Sequence, residues 1–124
     1  MMSLVSARND AGAAHCQASD HPGHLPALSA DPTAVTRAVR LLRAVGDEAR
    51  LRLLARLAEG PRCVTELALA EGESLSTISQ RLRVLRAEHL LVRRRDGRHI
   101  SYALADDHVL EIVRSALDHA RERP

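Results

Sequence analysis

The chain of 124 residues is almost without aromatic side chains: Tyr102 stands alone, with no Phe and no Trp. That excludes the stacking platforms on which single-stranded nucleic acids lie, such as RNP-type sheets and OB folds. Lysine is absent, all eighteen basic residues being arginine. Two cysteines, Cys16 and Cys63, are too few for a disulfide scaffold and suit a reducing compartment. No apolar run approaches the roughly 20 residues of a membrane span, and the N-terminus lacks the basic-then-apolar layout of a secretion signal. A cytoplasmic protein with no membrane partner is expected. There is no glycine-rich phosphate loop and no nucleophile standing with a base, which speaks against an enzyme.

What is present is a chain with 45% hydrophobic residues, enough for one core in one domain of ordinary size. The net charge of +2 hides an uneven distribution. Between Arg81 and Arg98 seven arginines (81, 83, 86, 93, 94, 95 and 98) face two acids, Glu88 and Asp96. A basic block inside a folded region points to phosphate contacts. From Ala105 onward five acids outnumber three arginines, with His108 and His119 among them. Acids dotted with histidine point to cations.

Residues 1–30 hold Gly12, Pro22, Gly23 and Pro26 and little periodicity, and are expected to form a mobile N-terminal arm. The arm carries ligand-type residues: His15, Cys16, Asp20, His21 and His24. Residues 31–124 are expected to form the folded domain. Asp31-Pro32 opens a helix, with the acid as cap and proline at the first helical position. Val35, Ala38, Val39, Leu42 and Val45 follow at helical spacing, and Gly46 ends it. Asp47 caps a second helix with Leu51, Leu54 and Leu57 inward and Arg50, Arg52 and Arg56 outward, stopped by Gly60-Pro61.

A short helix from about Cys63 to Ala70 comes next, burying Val64, Leu67 and Ala68. Glu71-Gly72-Glu73 then turns, and Ser74 caps a helix running from about Leu75 to Glu88 with Ile78, Leu82 and Leu85 inside. The pair is a helix-turn-helix. It leaves Ser76, Thr77, Ser79, Gln80 and Arg83 outward near the start of the second helix, where major-groove readers sit.

Leu91–Arg95 and His99–Leu104 read as strands joined through Arg-Asp-Gly-Arg, a hairpin signal in which Asp96-Gly97 form the turn and both central residues take positive φ. With Arg94, Arg95 and Arg98 around its tip, this hairpin completes a winged helix-turn-helix, its arginines meeting phosphates or the minor groove. The fold expected is mostly α with a small β-hairpin, and the partner is double-stranded DNA.

The last helix, about Asp107 to Arg121, carries Val109, Ile112, Val113, Ala116, Leu117 and Ala120 in one stripe. Such a stripe packs on its own domain or pairs with a copy of itself, and pairing is the expectation here. Asp106 and His108 flank its start, and His119 and Glu122 its end. His108 and His119 are eleven residues apart, so they share a face but are separated by roughly 16 Å along the axis. Zinc needs ligands at about 2 Å, so one chain cannot close a site from these four, whereas two antiparallel copies can. Two carboxylates and two imidazoles make a tetrahedral set suited to Zn(II) or Co(II), with no vacancy for a catalytic water.

Taken together, these motifs resemble the ArsR/SmtB family of bacterial metal-sensing repressors over roughly residues 31–123. Arg50-Leu51-Arg52-Leu53-Leu54 resembles the family's second-helix signature, and Cys63-Val64-Thr65-Glu66-Leu67 its cysteine-bearing box. Ser76 to Leu85 resembles the recognition helix, and Gly97-Arg98-His99-Ile100-Ser101-Tyr102 the wing. Asp-x-His, ten residues, then His-x-x-Glu resembles the inter-subunit site of the family's zinc sensors.

The resemblance implies a homodimer that binds an imperfect inverted repeat in its metal-free form. It also implies release by Zn(II), or by Co(II) or Cd(II), bound at Asp106, His108, His119 and Glu122. The free nitrogen of His119 would find an acceptor around Arg86–His89. A second site is implied by Cys63 and Glu66 together with Cys16 and His21, or their neighbours in the arm. It would make cadmium or lead the inducer, although Thr65 stands where thiolate-rich members have a further cysteine. The remaining alternative is a dimer that zinc merely stabilises.

Overall fold

The computed structural model describes residues 31–122, and the backbone contacts divide the chain into Met1–Asp31 and Pro32–Pro124. Cys16 and His21, with the rest of the expected arm, lie outside the described residues. Among the described residues there are five helices and one two-stranded antiparallel sheet. These are α1 (Pro32–Val45), α2 (Glu48–Leu57), α3 (Val64–Glu71), α4 (Leu75–Ala87), β1 (Leu91–Asp96), β2 (His99–Leu104) and α5 (Asp107–Arg121). No helix among them is long and apolar enough to cross a membrane.

The helix boundaries follow from capping. The Asp47 carboxylate accepts the Arg50 N–H at 3.0 Å and starts α2. Ser74 does the same for α4 through the Thr77 N–H at 3.1 Å. Gly72 closes α3 with a left-handed φ of 66°, which lets Glu73 reach back to the Ala68 carbonyl at 3.0 Å. The end of α4 repeats that device without glycine. His89 has φ 60°, the one non-glycine residue with positive φ among those described, and Leu90 N–H reaches the Leu85 carbonyl. A side chain in that region costs about 1–2 kcal/mol, which here is offset by sinking Leu90, 1% exposed, into the core.

The core is aliphatic, as a chain with one aromatic residue requires. Leu53, Leu54, Leu57, Leu67, Ile78, Leu82, Leu85 and Val113 are all buried, with Tyr102 at its edge. Helix α2 lies at the centre, in contact with α1, α4, α5 and β2. That position extends one expectation and corrects another. With neighbours on several sides, the buried arc of α2 widens to take in Leu53, while Leu51 is only half-buried. Arg50 does not decorate the outside either. Its guanidinium donates to the Ala44 and Arg43 carbonyls at 2.7 and 3.3 Å, satisfying groups that the end of α1 leaves without helical partners. Arg56 turns to the end of α3, bonding the Glu71 carboxylate and the Ala70 carbonyl.

The hairpin register pairs Leu91 with Leu104, Arg93 with Tyr102 and Asp96 with His99. The two loop residues are therefore Gly97 and Arg98, and only Gly97 has positive φ, at 64°. This corrects the expected turn: one left-handed residue at the first loop position is the pattern of a type II′ turn, which needs one glycine rather than two permissive residues. The hairpin is tied back by Arg62, which exchanges backbone hydrogen bonds of 3.0 and 2.8 Å with Tyr102. The wing and the start of α3 are thereby held to one frame.

Candidate nucleic-acid interface and metal centre

Helices α3 and α4 form the helix-turn-helix, and the cap at Ser74 sets the outward edge of α4. Ser76, Ser79 and Gln80 are exposed along its first half, and Arg83 on its second. Thr77 differs: it is half-buried, and its Oγ1 accepts a hydrogen bond from the Ser74 hydroxyl at 3.0 Å. Its side chain serves the cap as well as the surface.

Among the described residues seven arginines have an acid as partner, while Arg37, Arg43, Arg114 and most of the basic block do not. Arg40, Arg52, Arg56, Arg81 and Arg121 each pair with an acid, and Arg50 and Arg62 combine an acid with backbone carbonyls. Arg81, counted in the basic block, is drawn to Glu73 at 3.4 Å. Among the described residues, the other six members of that block have no acid within ion-pair distance. Arg83 and Arg86 lie on α4, Arg93, Arg94 and Arg95 on β1, and Arg98 at the tip, all exposed. A surface that leaves six guanidiniums uncompensated, while pairing their neighbours, is built to meet anions. Arg86 and Arg93 were not among the residues singled out on the sequence. The signal for Arg86 was its place three residues after Arg83; for Arg93 it was the strand register, which needs the partner strand.

The four ligand-type residues of the last helix are all exposed. Asp106 caps α5 by accepting the Val109 N–H on Oδ1 at 3.1 Å, and His108 Nδ1 lies 3.8 Å from that oxygen. Its second carboxylate oxygen stays available. His119 and Glu122 stand at the other end of the helix, Glu122 as its C-cap. Among the described residues no three His, Cys, Asp or Glu side chains converge.

The end of α4 sits at the Asp106 end of α5, not at the His119 end. Ala87, Glu88 and His89 line a cavity of about 470 Å³ together with Asp106 and His108. Within one chain, His119 therefore has no route to the Arg86–His89 segment expected to accept its hydrogen bond.

The stripe on α5 is split. Val109 and Val113 are buried in this chain's own core, Ile112 and Leu117 are half-buried, and Ala116 and Ala120 are exposed. The first helix leaves a second apolar row uncovered: Val35, Val39 and Leu42, at 44, 41 and 53% exposure.

Cys63 and Glu66 do come together. Cys63 is the N-cap of α3 and Glu66 the third residue of its first turn, its Oε1 accepting the Cys63 N–H at 2.9 Å in a capping box. That hydrogen bond first, then contact with the Cys63 side chain, hold the Glu66 carboxyl below its ordinary value against an opposing effect of burial, with the nearby Arg62 charge a lesser help. The Cys63 thiol is free and half-buried.

A helix-turn-helix flanked by an arginine-rich hairpin defines a winged-helix DNA-binding protein. Residues 47–91, from the α2 cap to the first residue of β1, match the model of the bacterial regulatory protein, arsR family. The HTH-type transcriptional repressor SmtB of Mycobacterium tuberculosis is 34% identical over 124 residues, covering 95% of this chain and 92% of that one. The transcriptional repressor SmtB homolog of Synechocystis is 44% identical over 79 residues, 64% of this chain and 60% of its own length. The homodimeric winged helix-turn-helix DNA-binding domain Mb0332 of Mycobacterium bovis superimposes with a TM-score of 0.71 at 27% identity, covering 80% of this chain and 92% of that one. The chain belongs to the ArsR/SmtB family of metal-sensing winged-helix transcriptional repressors, and is a regulator, not an enzyme.

Proposed function

We propose that the protein is a cytoplasmic repressor that binds an inverted-repeat operator as a metal-free homodimer and is released by Zn(II), with Co(II) or Cd(II) as alternative inducers. The observation that carries this reading is the placement of Asp106 and His108 at one end of α5 and His119 and Glu122 at the other. All four are exposed, and among the described residues none is held in an ion pair with an arginine. In an antiparallel pair of α5 helices, the first two residues of one chain meet the last two of its partner, twice per dimer. The apolar residues left uncovered on α1 and α5 support pairing through those helices.

The donor set of two carboxylates and two imidazoles fits a borderline cation and fills a tetrahedron, so the ion would serve as a ligand bridge between chains. His119 of one chain would then arrive beside the Ala87–His89 segment of the other, which shares a cavity with Asp106 and His108. That neighbourhood links the ion to the end of the recognition helix. A preference of the ion for the dimer shape with weaker DNA affinity makes metal and DNA oppose each other reciprocally, with about 1–3 kcal/mol enough for a switch.

The test is fluorescence anisotropy on the protein's own promoter DNA, with chelator and then with zinc, for wild type and His119→Ala. Zinc should weaken wild-type binding tenfold or more and leave the variant unmoved. Equal responses from both proteins would place control elsewhere, and no response from either would sink zinc as inducer.

A second reading takes its support from Cys63 and Glu66, adjacent at the start of α3. Joined by Cys16 and His21 from the arm of a second copy of the chain, they would hold a softer ion such as cadmium. Changing each ligand set separately discriminates the two sites.

A further inference from the structure

Between the C-terminal half of α4 and strand β1 runs a groove of about 660 Å³. Arg83 and Arg86 of α4, His89 beyond its end, and Leu91 and Arg93 of β1 are among the residues that line it. Arg83 and Arg86 are three residues apart on one helix face, where like charges repel by a few tenths of a kcal/mol. The register sets Arg93 opposite Tyr102, whose ring is buried, so Arg93 leaves β1 from the inner face of the hairpin, toward α4. Among the described residues no acid pairs with the three guanidiniums. Glu88, the acid nearest in sequence, bonds to Arg40 on α1 at 3.5 Å, and Glu73 is held by Arg81. Three cations gathered around one groove without a counter-charge are stable when an anion enters it.

We propose that this groove is a phosphate clamp that grips one phosphodiester of the DNA backbone between the recognition helix and the wing, with Arg86 and Arg93 as its jaws beside Arg83. The inference rests on the DNA-binding reading above and deepens it. Arg94, Arg95 and Arg98 extend the contact along the hairpin, but the clamp sits where helix and strand meet, so it sets the angle at which α4 lies in the groove of the duplex. Arginine forks hold a phosphate through two parallel N–H donors, which positions as well as attracts. The contact carries no base information and should be felt equally on any sequence.

The experiment compares wild type, Arg86→Ala/Arg93→Ala, Arg86→Lys/Arg93→Lys and Arg114→Ala, the last an exposed unpaired arginine on α5 away from the groove. Binding to a labelled duplex is read by anisotropy between about 50 and 200 mM salt, where each phosphate contact contributes about 0.9 to the slope of log affinity against log salt. Far-ultraviolet circular dichroism verifies that each variant is folded. The double alanine variant should lose about 0.9 in slope for each clamp engaged, on operator and scrambled duplex alike. The lysine variant should keep most of the slope, and Arg114→Ala all of it.

An unchanged slope in the folded alanine variant overturns the clamp while leaving DNA binding by the wing intact. A wild type that binds no duplex overturns the clamp and the DNA-binding reading together. In a further arm, sodium sulfate replaces sodium chloride at equal ionic strength. Sulfate should compete more strongly against wild type than against the alanine variant, and equal competition overturns the groove as an anion site. A sulfate difference with an unchanged DNA slope would assign the groove to free anions and overturn its role on the duplex.

Discussion

Ser74 joins stability to recognition through a single oxygen. Its hydroxyl accepts the Thr77 N–H at 3.1 Å and donates to Thr77 Oγ1 at 3.0 Å, closing the first turn of α4 just where Ser76 and Ser79 are presented. Replacing it with alanine removes one cap and strands one of the helix's orphan N–H groups, a loss of about 1 kcal/mol. The exposed position lets water take over part of the bond, which rules out the upper end of the range for caps. For a domain of this size that is a fall of about 4–8 °C in melting temperature.

Ser74→Asp supplies a carboxylate in the same place, which caps equally well and suits the positive end of the helix dipole. Its thermal stability should match or exceed wild type. Yet the new negative charge would face DNA phosphates, so its deficit in DNA affinity against wild type should widen as salt is lowered, and by more than that of Ser74→Ala. Thermal melting followed at 222 nm and anisotropy on one duplex, run side by side, separate the two effects. The reasoning is refuted if Ser74→Ala melts within a degree of wild type, or if Ser74→Asp binds DNA as tightly as wild type does.

The wing offers a second measurement. Changing Arg94, Arg95 and Arg98 to alanine singly should each weaken binding without sequence preference, and lower the salt slope by about 0.9 for every phosphate lost. A variant that instead loses discrimination between sequences would mark that arginine as a base reader. The capping box at α3 gives a pH dependence. Because the Glu66 carboxyl is held below its ordinary value by the Cys63 N–H, its charge stabilises the metal-free fold above the usual carboxylate range. That contribution disappears as pH falls through the lowered value. Thermal melting of Glu66→Gln and wild type should therefore differ at neutral pH and converge in acid; a gap that widens toward acid would reverse the sign.

Local chemistry accounts for most of what was readable before folding. Asp47 and Ser74 announce helix starts because an oxygen before a helical run answers orphan N–H groups in any context, and Ile78, Leu82 and Leu85 repeat at the helical period. The hairpin was visible for the same reason, Gly97 being the residue that turns most easily into positive φ. That Asp106 and His108 fall at one end of α5 and His119 and Glu122 at the other follows from helix geometry alone.

Long-range packing settled the remainder. Whether Leu53 joins Leu54 and Leu57 in the fully buried set of α2 depends on how many neighbours surround that helix, which no periodicity encodes. Whether an arginine is free or spent depends on what the chain brings beside it. Arg50 went to the end of α1, Arg56 to Glu71 and Arg81 to Glu73, leaving Arg83, Arg86 and Arg93 to share one groove. The uncovered row on α1 and the cavity joining His89 to His108 likewise exist only once separate helices meet. Capping, turns and periodicity act over a few residues and are written in order along the chain, whereas burial and charge pairing act between segments that order alone does not bring together.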